Sequence, residues 1–139
     1  MKVLIDTNVA LNILLNQPNF YAGSKKVFDL AETGVFAAFI SASAITDIYY
    51  IASKSLGKKA ARENIKQHLL QVFKPAAVTD SHIYQALDLE WDDFEDSVQY
   101  IVGESFSADY IVTRNTEDFA SGSIIAITPE QFLETIAQE

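Results

Sequence analysis

The fold of this chain is decided near its beginning, where residues 3–8 read VLIDTN. Three apolar residues that end at a charge predict a short strand buried on both faces, as in a parallel sheet. Helical spacing of apolar residues follows over residues 9–14 and stops before Pro18. Ligands of such sheets bind beyond the carboxyl ends of the strands, so Asp6 is a candidate site residue; a helix N-cap is the simpler alternative.

The same alternation of strand and helix continues to the end of the chain. Further strands are predicted at residues 35–40, 76–78, 110–112 and 124–127, and helices at 21–33, 41–56, 58–72 and 80–89. Asp80 or Ser81 is the expected cap of the last of these, an acidic segment leads into another helix, and Thr128 begins the final one. The pattern predicts an α/β protein, a three-layer α/β/α sandwich with a five-stranded, mainly parallel sheet. Without repeats or linkers, residues 1–139 are expected to form a single domain.

The composition is that of a globular protein, with 49% apolar and 21% charged residues. The absence of cysteine excludes a disulfide scaffold, thiolate metal sites and a cysteine nucleophile. No apolar run approaches the roughly 20 residues of a membrane span, and a charge follows the first three apolar residues, unlike a signal peptide. A cytoplasmic protein without a membrane segment is therefore expected.

The net charge of −9 argues against easy binding of nucleic acid, because phosphate binders usually carry a basic surface. Acids clustered around a divalent cation would account for part of the excess. Half of the ten basic residues lie in one segment, namely Lys54, Lys58, Lys59, Arg62 and Lys66. A solvated helix face is the simpler interpretation of that segment, and a contact with the RNA backbone is the more specific one. Tyr49 and Tyr50 could stack on a base, although core packing is simpler for at least one of them.

Two further groups of acids lie on predicted helices. Asp47 interrupts an otherwise apolar helical stretch, where aspartate is a poor helix former unless it has a separate purpose or lies at the surface. The run at residues 92–96 could simply complement a helix dipole. Asp93 and Asp96 are three residues apart and share a helix face, which could carry both to the edge of the sheet while Asp92 and Glu95 stay solvated. Asp96 is the first choice and Asp93 the second.

A fourth group of polar residues follows the predicted strand at residues 110–112. Asn115 and Asp118 are candidates for assisting a cation, unless the loop is merely polar. Arg114 is either a phosphate contact or a neutralising neighbour. Thr113 and Arg114, together with Asn8 after the first strand, are the candidate substrate contacts.

If these carboxylates converge, electrostatics dictate the cofactor. Two carboxylates about 4 Å apart repel by about 4 kcal/mol at an effective dielectric constant of about 20, so several cannot stay ionised together without a cation. Oxygen ligands favour Mg²⁺ or Mn²⁺ over Zn²⁺. Such an ion activates water for in-line hydrolysis of a phosphodiester. The candidate ligands are Asp6, Asp47, Asp93, Asp96 and Asp118.

Several of these motifs, in this order, resemble the PIN-domain nucleases and, among them, the VapC-like toxins of toxin–antitoxin modules. The motifs that carry the resemblance are VLIDTNV (3–9), SAITDIYY (43–50), DFED (93–96), IVTRN (111–115) with DF (118–119), and ITPE (127–130). The resemblance spans almost the whole chain. It implies a five-stranded parallel sheet, a Mg²⁺ or Mn²⁺ site and cleavage of single-stranded or loop RNA. Relatives often form homodimers and bind a small antitoxin protein.

By the same resemblance, Asp6, Asp47 and Asp96 match the three principal acids, and Asn115 falls at a fourth, more variable position. The chain departs from the family where Asp47 replaces the usual glutamate and where Asn115 removes a charge that Asp118 would have to supply.

The leading hypothesis is a metal-dependent endoribonuclease, the toxin of a toxin–antitoxin module. The alternative is a non-catalytic PIN-like module that binds RNA or a protein, which the acidic charge, Asp47 and Asn115 favour. A phosphatase is the weaker third hypothesis. Phosphatases with an aspartyl nucleophile after the first strand usually have a second aspartate two residues on, where this chain has Asn8. No glycine-rich loop that could bind phosphate follows any strand either.

Overall fold

The structure is a computed structural model that describes residues 1–139. Five strands form one sheet in the order β3-β2-β1-β4-β5, and every neighbouring pair is parallel. The strands are β1 (Lys2–Ile5), β2 (Ala37–Ser41), β3 (Lys74–Ala76), β4 (Tyr110–Val112) and β5 (Ile125–Ile127). The helices are α1 (Thr7–Leu14), α2 (Tyr21–Glu32), α3 (Ala42–Leu56), α4 (Lys58–Asn64), α5 (Leu70–Val72), α6 (Asp80–Asp88), α7 (Phe94–Ser105) and α8 (Pro129–Ala137). A π-helical segment (Ile65–Leu69) joins α4 to α5, and a 3₁₀ turn (Thr116–Phe119) follows β4.

Two apolar clusters cover the two faces of the sheet. Val3 and Ile5 of β1 pack into the larger cluster with residues of α1 to α4 and α8, whereas Leu4 between them packs into the smaller cluster with α6 and α7. This opposite placement follows from the period of two along a strand. The predicted three-layer α/β/α sandwich is confirmed, and the sheet is wholly parallel.

The chain changes direction at β1, and this places the site. From β1 the chain proceeds outward through β2 to β3, then returns to form β4 on the other side of β1. The carboxyl ends of β1 and β4 therefore flank the switch point, where ligands of open α/β sheets bind. Asp6 and Thr113 continue the sheet at this edge, since their backbone N–H groups donate to Val112 O (3.0 Å) and Ile127 O (2.9 Å).

The predicted strand β3 was two residues out of place. The apolar run at 76–78 suggested the strand, but the paired residues are Lys74–Ala76. This strand lies at the edge of the sheet and pairs only with β2, so it can accommodate Pro75 and needs little burial.

Two helix predictions also need correction. The predicted helix over residues 58–72 changes its hydrogen bonding at Ile65–Leu69, whose two end residues are buried in the larger cluster. At the start of α6, Thr79 rather than Asp80 or Ser81 is the cap, and its capping box is completed by the ring of His82. No helix is long and apolar enough to cross a membrane.

Candidate metal centre

A cavity of about 270 Å³ opens at the switch point, at the carboxyl ends of β1 and β4. Its wall brings together the three acids singled out in the sequence, which come from the end of β1, the middle of α3 and the first turn of α7. No lysine or arginine lines it. The lining residues are Asp6, Thr7, Asn8, Leu11, Asp47, Ile51, Asp93, Glu95, Asp96, Gln99, Asn115 and Asp118.

Asp6 is the buried floor of this cavity and is held by three donors. Its Oδ1 accepts from the Thr7 backbone N–H (2.7 Å) and the Gln99 side-chain amide (3.0 Å), and its Oδ2 accepts from the Thr113 hydroxyl (2.7 Å). Burial raises the pKa of Asp6 above its ordinary value, while these three hydrogen bonds stabilise the carboxylate and lower the pKa. Asp6 is also the N-cap of α1, so the simpler interpretation of this residue is confirmed, and its role as a metal ligand stays a prediction.

Asp47 and Glu95 form a carboxyl pair across the contact between α3 and α7. Burial, a hydrogen bond shared with Asp47 and the charge of Asp47 together raise the pKa of Glu95 to about 8. This environment favours the protonated form of Glu95 near neutral pH. The Thr7 hydroxyl lies 3.5 Å from Glu95 Oε1, at the outer limit of a hydrogen bond.

Asp96 stands between two adjoining cavities. Burial raises its pKa to about 7, with further contributions from the charges of Asp93, Asp6 and Asp118. Together with Asp93 and Asp118 it also lines a second, neighbouring cavity of about 330 Å³. The other lining residues of that cavity are Glu90, Trp91, Asp92, Glu117 and Ser121. The negative charge of the chain is thus concentrated on this edge of the sheet.

Of the residues predicted to touch substrate, Asn8 lines the cavity, whereas Thr113 and Arg114 do not. Asn115, predicted to assist a cation, also lines it. Asn8 also accepts from the Arg114 backbone N–H (3.2 Å) through its side-chain oxygen. Thr113 is fully buried, donates to Asp6 and accepts from the Asn115 backbone N–H (3.0 Å). It positions a carboxylate and the following loop, and it is not placed to contact substrate.

The prediction that Arg114 contacts phosphate is not supported by the structure. Its guanidinium donates to Asn12 Oδ1 (3.0 Å), the Phe20 carbonyl (2.8 Å) and the Ser24 hydroxyl (3.0 Å), and it forms an ion pair with Glu130. Most of its donors are therefore occupied outside the cavity. Arg114 ties the loop after β4 to α1, α2 and α8.

Sequence reasoning missed two residues of the site. Glu95 was expected to be solvated, but it is half-buried and lines the cavity, because its partner Asp47 comes from another helix. Gln99 was not predicted at all, although it is a single polar residue in the buried stretch VQYIV at positions 98–102. That interruption was the available signal. Its Oε1 is buried without a hydrogen-bond partner, although its amide binds Asp6.

The chemistry of the donors fits a hard divalent cation. All of the charged donors are carboxylates, and two of them have pKa values raised to about 7 and about 8, as expected where negative charge is uncompensated. No three of these carboxylates are already arranged to hold one ion together. Asp93 and Asp118 are exposed at the cavity, and the carboxylate of Asp93 caps α7 by accepting from the Asp96 backbone N–H (3.0 Å).

The sheet order, the site at the switch point and its oxygen-only donor set define a class of small α/β proteins with an acidic centre. The sequence matches the PIN domain family over residues 2–117, and the chain belongs to that family. Ribonuclease VapC1 of Aquifex aeolicus (strain VF5) is 28% identical to it over 137 residues, which cover 96% of this chain and 94% of the relative.

Solved structures share the fold at lower identity. One of them is VapC20 of Mycobacterium tuberculosis, described as a toxin that cleaves the sarcin–ricin loop. It is 15% identical in sequence and has a TM-score of 0.70, and the match covers 86% of this chain and 95% of the VapC20 chain. VapBC2 of Rickettsia felis, solved with a promoter DNA fragment, is 16% identical with a TM-score of 0.68 over 91% and 97%. A toxin–antitoxin complex of Klebsiella pneumoniae is 20% identical with a TM-score of 0.66 over 91% and 97%.

Proposed function

We propose that this protein is a Mg²⁺- or Mn²⁺-dependent endoribonuclease and the toxin of a toxin–antitoxin module. The observation that carries the proposal is the convergence of Asp6, Asp47 and Asp96, from three separate segments, on one cavity at the switch point. Membership of the PIN family and the likeness to a VapC ribonuclease over nearly the full chain support it.

The residues that would hold the ion are Asp6, Asp96 and Asp118, with Asp93 beside them and Asp47 opposite. When bound, the ion supplies an activated water and neutralises charge on the phosphate. The donors from Thr7, Gln99 and Thr113 favour the ionised form of Asp6 and fix its orientation. Glu95, whose raised pKa favours its protonated form, lines the same cavity beside Asp47. Asn115 lines the same cavity, and its side-chain amide would provide an uncharged contact for the substrate.

The direct test is cleavage of a labelled RNA that contains a single-stranded loop, with the metal-free protein and with added Mg²⁺ or Mn²⁺. Asp6→Asn and Asp96→Asn should each reduce kcat/KM by about 100-fold or more, since loss of groups that merely support metal ligands already costs 10–100-fold. Asp88→Asn, on α6 outside the cavity, is a matched control that should cleave normally. Cleavage that persists in both site variants would reveal a contaminating nuclease and remove the proposal.

A non-catalytic PIN-like module that binds RNA or a protein is the second candidate. The absence of three carboxylates already arranged around one ion position favours it. Calorimetric titration with Mn²⁺ separates the two functions, because the module would show no saturable site. Binding of Mn²⁺ that is lost in Asp6→Asn would instead support the nuclease.

The proposed partner is a small antitoxin protein, and the proposed assembly is a homodimer in the cytoplasm. The support is that two of the structurally similar proteins were solved as VapBC or toxin–antitoxin complexes. Co-expression with the product of the adjacent gene should yield a stable complex that suppresses RNA cleavage. Sedimentation of the isolated chain as a monomer would contradict the homodimer.

A further inference from the structure

A basic, tyrosine-bearing surface lies next to the acidic cavity, on the solvent side of α3 and α4. We call it the α3–α4 surface. Apart from Tyr49, which is half-buried, its residues are exposed, and 60% of Tyr50 is open to solvent. The residues of the surface are Tyr49, Tyr50, Lys54, Lys58, Arg62 and Lys66.

This surface is continuous with the cavity along α3. Asp47, Tyr50 and Lys54 follow one another at spacings of three and four residues, so they share one face of the helix. Asp47 lines the cavity, and so does Ile51 on the next turn. At a rise of about 1.5 Å per residue, Lys54 lies roughly 10 Å along the helix from Asp47. A chain of nucleotides bound in the cavity would therefore meet Tyr50 and Lys54 directly outside it.

Each tyrosine of the surface is paired with a basic side chain. The ammonium of Lys54 lies 4.2 Å from the centre of the Tyr50 ring, and the guanidinium carbon of Arg62 lies 5.7 Å from that of Tyr49. Such pairs fix the rings in place. Tyr49, Arg62 and Lys66 also line a shallow depression of about 380 Å³. An exposed aromatic ring with a neighbouring cation is the arrangement that binds unpaired bases and their phosphates.

Positive charge is concentrated in this surface. Residues 54–66 hold five of the ten basic residues and a single acid, Glu63, although the whole chain has a net charge of −9. The carboxylates of the cavity repel a phosphate backbone. Positive charge beside the cavity is therefore required if RNA is to approach it.

We propose that the α3–α4 surface binds single-stranded RNA that leads into the acidic cavity. An unpaired base stacks on Tyr50, and Lys54 and Lys58 contact the adjacent phosphates. The strand is unpaired because a base stacked inside a duplex cannot present its face to a protein ring. This inference rests on the proposed function but concerns binding, which can be measured without cleavage.

The stacking contact is tested by the binding of a short labelled single-stranded RNA, measured by fluorescence anisotropy. Cleavage is prevented in two parallel ways, by EDTA with the wild-type protein and by the Asp6→Asn substitution. Tyr50→Ala should weaken binding about tenfold, because stacking on an aromatic ring is sequence-tolerant but substantial. Tyr50→Phe should retain binding. Tyr84→Ala is the matched control, since Tyr84 is 69% exposed on α6, on the opposite side of the sheet, and its loss should leave the affinity unchanged.

The phosphate-binding role of the lysines is tested by the dependence of the same affinity on salt. The double variant Lys54→Glu with Lys58→Glu should reduce the slope of log K against log salt by about 1.4, because each phosphate that a protein neutralises on a single strand accounts for about 0.7. Lys26→Glu reverses the charge of one exposed lysine on α2, half the change of the double variant, and should leave the slope unaltered.

Three outcomes decide the matter. Unchanged affinity and salt slope in the Tyr50 and lysine variants would overturn the inference. So would sedimentation showing that Tyr50→Ala disrupts a complex between copies of the chain while RNA binding stays intact. Binding that depends on Tyr50 and the lysines, in a protein that cleaves no RNA under any metal condition, would support this surface and refute the proposed function.

Discussion

At the scale of single residues, the behaviour of the site depends on how Asp6 is held. The Thr113 hydroxyl supplies the only hydrogen bond to Asp6 Oδ2, and Thr113 itself is fully buried. Thr113→Val keeps the shape of the side chain and removes this donor. We expect a loss of about 1–3 kcal/mol in the free energy of unfolding at neutral pH. Affinity for Mn²⁺ should fall about 10–100-fold, as for other groups that orient a metal ligand.

Urea denaturation and calorimetry measure these two effects, and Thr113→Ser is the control that restores the hydroxyl. Recovery of Mn²⁺ affinity by the serine variant would assign the effect to the hydrogen bond. Equal loss in both variants would assign it to packing of the threonine methyl group and contradict the role of the hydroxyl.

Arg114 provides a second prediction for a single residue. Its side chain connects separate parts of the chain, and we do not expect it to contact the substrate. An ammonium cannot reproduce the fork of donors that reaches Asn12, Phe20 and Ser24. Arg114→Lys should therefore lower the free energy of unfolding by about 2 kcal/mol. RNA cleavage by the folded variant should change little. Normal stability with weakened RNA binding would instead restore the phosphate contact that the sequence suggested.

The acids that follow strands or interrupt apolar helices could be predicted from the sequence, because local rules place them. Asp6 follows from the end of β1, and Asp47 from its apolar neighbours. Glu95 could not be found in this way, since periodicity assigned it to the solvated side and only the packing of α7 against α3 brings it to Asp47. The contacts of the Arg114 guanidinium with α1, α2 and α8 likewise depend on tertiary structure, so no local pattern in the sequence predicts them.

At the scale of the helices and strands, Gly57 controls how α4 leaves α3. Its φ of +86° lies in the left-handed region, and a Cβ built there would meet no atom within 4 Å. The cost of Gly57→Ala is therefore conformational rather than steric. We expect a loss of about 1–3 kcal/mol in the free energy of unfolding, from the thermal or urea unfolding curve. Gly57→Asn should cost as much, because the ψ of 157° at Gly57 lies outside the αL conformation that asparagine tolerates. An unchanged unfolding midpoint in Gly57→Ala would show that the turn can rearrange.

The central strand β4 was predicted more accurately than the edge strand β3, for a physical reason. The predicted position of β4 matched the observed strand, because β4 lies between two neighbours and its residues Ile111 and Val112 are fully buried. The edge strand β3 contains Lys74 and Pro75, which a search for apolar runs passes over. The π-helical segment was not predicted either, because the spacing of its buried residues Ile65 and Leu69 fits an ordinary α-helix equally well.

Over the whole molecule, negative charge is concentrated at one edge of the sheet and positive charge on the α3–α4 surface. The acidic edge makes the stability of the metal-free protein depend on pH. The pKa of Asp96 is raised from 3.8 to about 7 and that of Glu95 from 4.5 to about 8. The folded protein therefore retains protons that the unfolded chain has already released. Stability that is fully present below about pH 4 is lost as the pH rises through 7 and 8.

We predict that the metal-free protein unfolds at progressively lower temperature between pH 5 and pH 8.5, and that Glu95→Gln flattens this dependence because one titrating carboxyl is removed. A bound divalent cation replaces the protons as the compensating charge. Saturating Mn²⁺ should therefore raise the melting temperature more at pH 8 than at pH 5, with a gain near 2.7 kcal/mol at about one hundred times the dissociation constant. Differential scanning calorimetry in EDTA and in Mn²⁺ makes the comparison, and Mg²⁺ should act in the same direction. A melting temperature that is independent of pH without metal, or a Mn²⁺ effect equal at both pH values, would mean that the carboxylates of the cavity do not share one electrostatic environment.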